Sequence, residues 1–177
     1  PVSLANNRVG DAGGAGLAEG LEALHKEGIG VFGAGRDPAA ACRPWRIECE
    51  GVKLAVFGIS CFEEGELGGR AAIASIPRDT RRLEEEFREA RRRGERIVVM
   101  IHWGREYSTE VDAAQRETAR WLANQGANII AGAHPHVIQR EESHAGTRIH
   151  YSLGNAVYPK ALRGADSGEL RRIGVRR

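Results

Sequence analysis

Two apolar segments each run directly into histidine, and that pattern limits what this chain can fold into. The first is Ile97-Val98-Val99-Met100-Ile101-His102-Trp103-Gly104. The second is Ala127-Asn128-Ile129-Ile130-Ala131-Gly132-Ala133-His134-Pro135-His136. Short β-branched runs read as buried strands, as in parallel sheets covered by helices. Polar groups at the C-terminal ends of such strands sit where α/β proteins place their chemistry. Imidazole is the commonest protein ligand for divalent transition metals. Three imidazoles delivered in this way predict a metal site on an α/β scaffold.

The rest of the chain alternates strand and helix. After an opening strand, Val2 to Ala5, the polar turn Asn6 to Asp11 leads into a Gly/Ala-rich helix. Leu17, Leu21 and Leu24 share one side of it, and Gly28 caps its end. A short strand from Ile29 to Phe32 and a loop from Gly33 to Pro38 follow. Trp45 to Glu50 and Val52 to Ile59 form a predicted hairpin pivoting on Gly51. A Gly/Glu-rich loop, 63–69, precedes a helix from Asp79 to Arg93. That helix buries Leu83, Phe87 and Ala90, and its outer face pairs Glu84 with Arg88 and Glu89 with Arg93. A second helix spans about Val111 to Gln125, with Trp121 and Leu122 inward. Val137 to Glu141 and Arg148 to Leu153 read as a further hairpin. From Pro159 the chain is a basic, weakly patterned tail. Strand–helix units followed by hairpins predict a mixed α/β (α+β) sheet with helices outside, within one domain spanning 1–177.

Composition narrows the functional classes. At 41% hydrophobic and 28% charged residues the chain is an ordinary globular one, and a net charge of +2 exerts no strong pull on nucleic acid. Three cysteines with no C-x-x-C spacing exclude a disulfide framework. No run approaches the ~20 apolar residues of a membrane span. The chain opens on Pro1 in what reads as mid-strand, and Met100 is its single methionine, so sequence is expected upstream.

His134 and His136 would share a face if extended, with Pro135 holding the backbone out of helix and Gly132 allowing a close approach. His102 ends its strand before Trp103-Gly104, where a sharp turn could project the ring into a cleft. Glu106 could orient a histidine or face water. By spacing alone Asn6, Asn7 and Asn155 read as turn formers. His25, His144 and His150 have no supporting partners in sequence. Gly33-Ala34-Gly35 matches only part of a dinucleotide fingerprint and is discounted.

Several segments occur together in order: Ser3-Leu4-Ala5-Asn6-Asn7, Gly33-Ala34-Gly35, Ile101-His102-Trp103-Gly104-Arg105-Glu106-Tyr107, Gly132-Ala133-His134-Pro135-His136-Val137 and Tyr151-Ser152-Leu153-Gly154-Asn155. As a set they resemble bacterial capsule-synthesis, poly-γ-glutamate CapA-type proteins of the calcineurin-like metallophosphoesterase superfamily. The resemblance runs from Val2 to about Tyr158. It implies a four-layer αββα sandwich, here lacking its N-terminal part, with two divalent ions (Mn, Zn or Fe) at the strand ends. It maps Asn7, His102 and His134 onto one ion and His136 onto the other. Arg8 stands where relatives usually carry the histidine that assists the leaving group. Arginine could neutralise an oxyanion there but could not act as a general acid near neutral pH.

The resemblance further implies a hydrolase acting on a phosphoester or a polyanionic polymer, extracytoplasmic or membrane-anchored. The alternative is a non-catalytic scaffold of polymer synthesis or export. The family's acidic ligands lie upstream of Asn6-Asn7, so this chain alone is expected to be inactive, with open sheet edges prone to self-association.

Overall fold

The computed structural model describes residues 1–62, 67 and 71–155. In chain order the elements are β1 (Val2–Ser3), α1 (Gly13–Lys26), β2 (Val31–Phe32), β3 (Ala34–Gly35), α2 (Pro38–Cys42), β4 (Trp45–Cys49), β5 (Val52–Ser60) and β6 (Ala72–Ile73). There follow α3 (Thr80–Arg92), β7 (Arg96–His102), α4 (Ala113–Asn124), β8 (Ile129–Ala133), β9 (Glu141–His144) and β10 (Thr147–His150). Most of loop 63–69 and the basic tail lie outside the described residues.

The organising element is a six-stranded mixed sheet in the order β4-β5-β7-β8-β10-β9. Its centre, β5-β7-β8-β10, is parallel, and antiparallel hairpin partners close both edges. Alternation along β5 and β7 sends Ala55, Phe57, Ile59, Ile97, Val99 and Ile101 to one face, where each is at most 1% exposed. There they meet α3 and α4 through Leu83, Phe87, Ala90, Ala119 and Leu122. Phe57 and Phe87 lie 4.5 Å apart, ring centre to ring centre, and Trp121 meets Phe87 edge-on. The expected inward stripe of α3 is the stripe observed.

The short pair β1–β2 lies on the opposite face. A side chain at Gly58 would come within 2.7 Å of Ser3 Oγ and 3.0 Å of the Gly33 backbone, so the two layers touch backbone to backbone. Outside this layer, Leu17 of α1 packs with Ala5, Ala34, Ala71 and Ile73 in a second, smaller core. The layer order is helix, short strands, large sheet, helices, a mixed α/β arrangement.

Local differences from the sequence expectation have physical causes. The expected loop Gly33–Pro38 contains β3, which pairs with β6, and Pro38 begins the short helix α2, capped by Asp37 accepting from the Ala40 amide. The last hairpin is real but displaced. Its turn falls at Ala145-Gly146, both at positive φ, so the arms are β9 and β10, with Ile138 and Leu153 forming only an isolated bridge. Arg93 turns away from Glu89 to the buried Glu95, which Arg46 also holds, and Glu89 pairs with Arg92 instead. A nearly buried carboxylate attracts cations more strongly than a solvated one on the helix face. No helix among the described residues is long and apolar enough to cross a membrane.

Gly132 is the tightest point beneath the histidines. A Cβ there would overlap the Tyr151 carbonyl oxygen and the Trp103 indole nitrogen. Those two groups are already joined by a 2.8 Å hydrogen bond from the indole. Gly132→Ala is therefore expected to lower stability by about 1–3 kcal/mol, as overpacking does elsewhere. Urea denaturation checks this, and a loss below about 0.5 kcal/mol would show that the strands part without cost.

Candidate metal centre

The parallel register brings the histidines together. His102, last in β7, pairs with Ala133, last in β8, so His134 follows immediately beside it. Their rings lie 4.8 Å apart, and His136 is 6.1 Å from His134. Beyond β8 the backbone leaves the extended region: φ is +98° at His134 and +60° at His136. Across the cleft Tyr107 has φ +59°. Non-glycine residues in this region cost about 1–3 kcal/mol each and cluster at functional sites, where the surrounding structure holds them. Three of them stand around one pair of loops.

The side chains form two overlapping groups, with His134 between them: its ring is 4.8 Å from His102, the partner the family resemblance gives it, and 6.1 Å from His136. In the first, His102 Nε2 lies 3.0 Å from Asn7 Oδ1, which joins the end of β7 to the turn after β1. A carboxamide oxygen only accepts, so this contact is a hydrogen bond when His102 carries its proton on Nε2; an ion held by Asn7 and His102 would need that proton on Nδ1 instead. In the second, Glu106, His134 and His136 each offer a ligand atom, all within 4.8 Å of one another. Two imidazoles and a carboxylate make a donor set suited to Mn, Fe or Zn. The residues present thus fit a divalent ion. Glu106, open in sequence between an orienting role and a solvated one, stands among the candidate ligands.

Asn155 supports this group. His136 Nδ1 lies 2.7 Å from Asn155 Oδ1, and Asn155 Nδ2 donates back to the His136 carbonyl at 3.2 Å. With Nδ1 protonated, the lone pair of His136 resides on Nε2. Phe62 stands edge-on to both His134 (4.4 Å) and His102 (5.8 Å), while Tyr107 stacks on His136. From sequence, Tyr107 enters only as the end of the segment Ile101 to Tyr107 and Phe62 not at all, since each lies beyond a strand end where no periodicity operates. Tyr-Ser-Leu-Gly-Asn after a strand was the available signal for Asn155, but its partner lies 19 residues away.

Arg8 is placed elsewhere. Its guanidinium is 77% exposed and pairs with Asp11 at 3.0 Å, on a turn braced by Asn6 Oδ1 accepting the Arg8 amide. His25 is exposed, and His144 and His150 lie in the β9–β10 hairpin. Cys42 and Cys61 have thiol pKa values raised to about 12 and about 11, chiefly by burial, which makes them poor nucleophiles.

Burial, reinforced by the charges of His134 and His136, lowers the His102 pKa to about 4. His134 is lowered too, by burial first and by His136, with Glu106 pulling the other way. Both rings are neutral at pH 7, the form in which imidazole donates to a metal.

The same mixed α/β fold occurs in a putative 5'-nucleotidase from Staphylococcus aureus, whose crystal structure contains alpha-ketoglutarate. The two match with a TM-score of 0.51 at 16% identity, over 76% of this chain and 29% of that one. Within that fold class, residues 1–160 match the family described as bacterial capsule synthesis protein PGA_cap, and the chain belongs to that family. It is 33% identical over 159 residues to the PGA biosynthesis protein CapA of Bacillus subtilis (strain 168), covering 89% of this chain and 42% of that protein. It is 29% identical over 162 residues to the capsule biosynthesis protein CapA of Bacillus anthracis, covering 89% and 39%. The chain spans about two-fifths of the length of these curated relatives.

Two outcomes follow from the strain and the titration. At His136 the positive φ suits glycine, so in ion-free protein His136→Gly should be more stable than His136→Ala by about 1 kcal/mol. Equal urea midpoints would remove strain from the account. In the unfolded chain His102 takes a proton near its ordinary value of 6.5, whereas the folded chain resists until about 4. Its contribution is therefore complete above pH 6.5 and is lost as pH falls from there toward 4. The stability of ion-free protein should decline over that window, and His102→Asn should flatten the decline. Identical slopes in the two proteins would contradict the assignment.

Proposed function

We propose that this chain carries part of the metal centre of a metal-dependent hydrolase in capsular polymer metabolism, with poly-γ-glutamate or a related polyanion as the polymer concerned. One observation carries the reading: Glu106, His134 and His136 bring their ligand atoms within 4.8 Å of one another. The strained backbone at both histidines supports it. Glu106, His134 and His136 would hold a divalent ion, Mn, Zn or Fe, and the Asn7–His102 pair beside them is the candidate ligand set for a second. Bound ions would supply Lewis acidity toward a phosphoester or amide oxygen and neutralise developing charge.

The chain's own residues contribute binding and orientation. Asn155 Oδ1 accepts from His136 Nδ1 when that nitrogen carries the proton, and burial keeps His102 and His134 uncharged near neutral pH. Phe62 and Tyr107 flank the rings. Membership of a capsule-synthesis family and the names of the two relatives support the polymer context.

A second reading, a binding scaffold of polymer synthesis or export, draws on one observation. Arg8, in the position the family resemblance gives to leaving-group assistance, engages Asp11 and is largely solvent-exposed.

Titration of the full 177-residue chain with Mn²⁺ or Zn²⁺ by calorimetry separates the two. Under the hydrolase reading, His134→Ala and His136→Ala weaken binding by more than the roughly tenfold typical of a supporting residue, while His25→Ala leaves it unchanged. Equal effects from all three variants, or no binding by the parent chain, would sink the metal centre and leave the scaffold.

A further inference from the structure

Glu106 reaches the histidines from a loop, 103–112, that is folded against the loop after β8. Between these loops lie two amide side chains, Gln115 at 2% and Gln139 at 3% exposure. Gln115 Nε2 donates to Gln139 Oε1 at 2.9 Å. Gln139 Nε2 donates to the carbonyls of Ser108 (2.9 Å) and Glu110 (3.1 Å) in the Glu106 loop. Gln115 Oε1 in turn accepts the amide of Asp112, whose own carboxylate caps α4 at the Gln115 amide. Every polar atom of both side chains is thus engaged, in a place where an unsatisfied amide would be costly.

The geometry around this pair is equally close. Gly104 stands at φ +80°, and a Cβ on it would lie 2.7 Å from Gln115 Nε2, so the turn out of β7 is seated directly on the amide. On the other side the backbone N–H of Gln139 donates to the Ser152 carbonyl, anchoring the loop that carries His136. The closure ends at the metal candidates themselves: the Tyr107 amide donates to the Pro135 carbonyl at 2.8 Å, between His134 and His136.

We infer that Gln115 and Gln139 are positioning residues: their buried amide pair ties the loop bearing Glu106 and Tyr107 to the loop bearing His134 and His136. Neither amide touches the candidate ligands. The inference rests on the metal-centre reading for its purpose, but the tether itself is a separate physical claim and can be tested without an ion.

Two measurements on the full chain distinguish them. The first is hydrogen exchange on ion-free protein. Gln139→Met keeps the volume and removes the amide, so the Tyr107 amide should exchange at least about tenfold faster while Val99, in β7, is unchanged. Unaltered exchange at Tyr107 would overturn the tether. Should Gln139→Met fail to fold, the unsubstituted chain in a low-denaturant series answers the same question. The Gln139 side-chain protons and the Tyr107 amide should then exchange in one opening event, and separate openings would overturn the inference.

The second measurement is Mn²⁺ affinity in a double-mutant cycle. Gln139→Met should weaken binding about tenfold, as supporting residues around metals do. In a Glu106→Gln background it should add less than twofold, because the carboxylate it positions is already absent. Additive losses would mean that Gln139 acts on general stability and would refute the positioning role. If the unsubstituted chain binds no ion, the metal-centre reading fails, while the exchange result still decides the tether.

Discussion

Parallel pairing of β7 with β8 is the constraint on which the rest of the candidate site depends. A continuous hydrogen-bonded ladder from Val98–Ile129 to His102–Ala133 leaves no freedom in where the two histidine segments emerge. A register slip of one residue would turn His102 to the helix-covered face and Ile101 to the cleft. That slip is blocked by the apolar core, since Ile97, Val99 and Ile101 already fill the face against α3 and α4. The chemistry of the site therefore inherits its geometry from hydrophobic burial, which supplies most of the energy of the fold.

Close backbone approach is the second ingredient. Gly132 lets the Tyr151 carbonyl and the Trp103 indole meet over β8, and Gly58 lets the short strands with Asn7 beyond them settle on the large sheet. Neither glycine needs an unusual φ; what each supplies is the absence of a side chain. The consequence is that Asn7, nearly one hundred residues from His102 in sequence, arrives at hydrogen-bonding distance of it. At the site, the backbone strain lies in the loops past the strand ends, where His134, His136 and Tyr107 take positive φ and buried amides hold the loops shut.

Much of this was legible in sequence, for identifiable reasons. Continuous β-branched runs, the Leu83–Phe87–Ala90 stripe and the Gly51 pivot are local signals, and the structure follows them. Elements made of two residues, such as β3 and β6, have no periodicity to read and exist only through pairing with each other. The displaced last hairpin reflects turn chemistry at Ala145-Gly146 that outweighed the apolar pattern on either side. At the site, His102, His134 and His136 announce themselves by strand-end position. Phe62, Asn155 and the Gln115–Gln139 pair do not, because each gains its meaning from a partner brought in by tertiary closure.

Convergence of Glu106, His134 and His136 on one divalent ion is what the proposed function requires. Anomalous diffraction from crystals of this chain grown with Zn²⁺ tests it directly. The expected result is an anomalous peak bonded to the Glu106 carboxylate, to His136 through Nε2 and to His134. A peak held by other residues, or none at these three while the crystal contains zinc elsewhere, would contradict it.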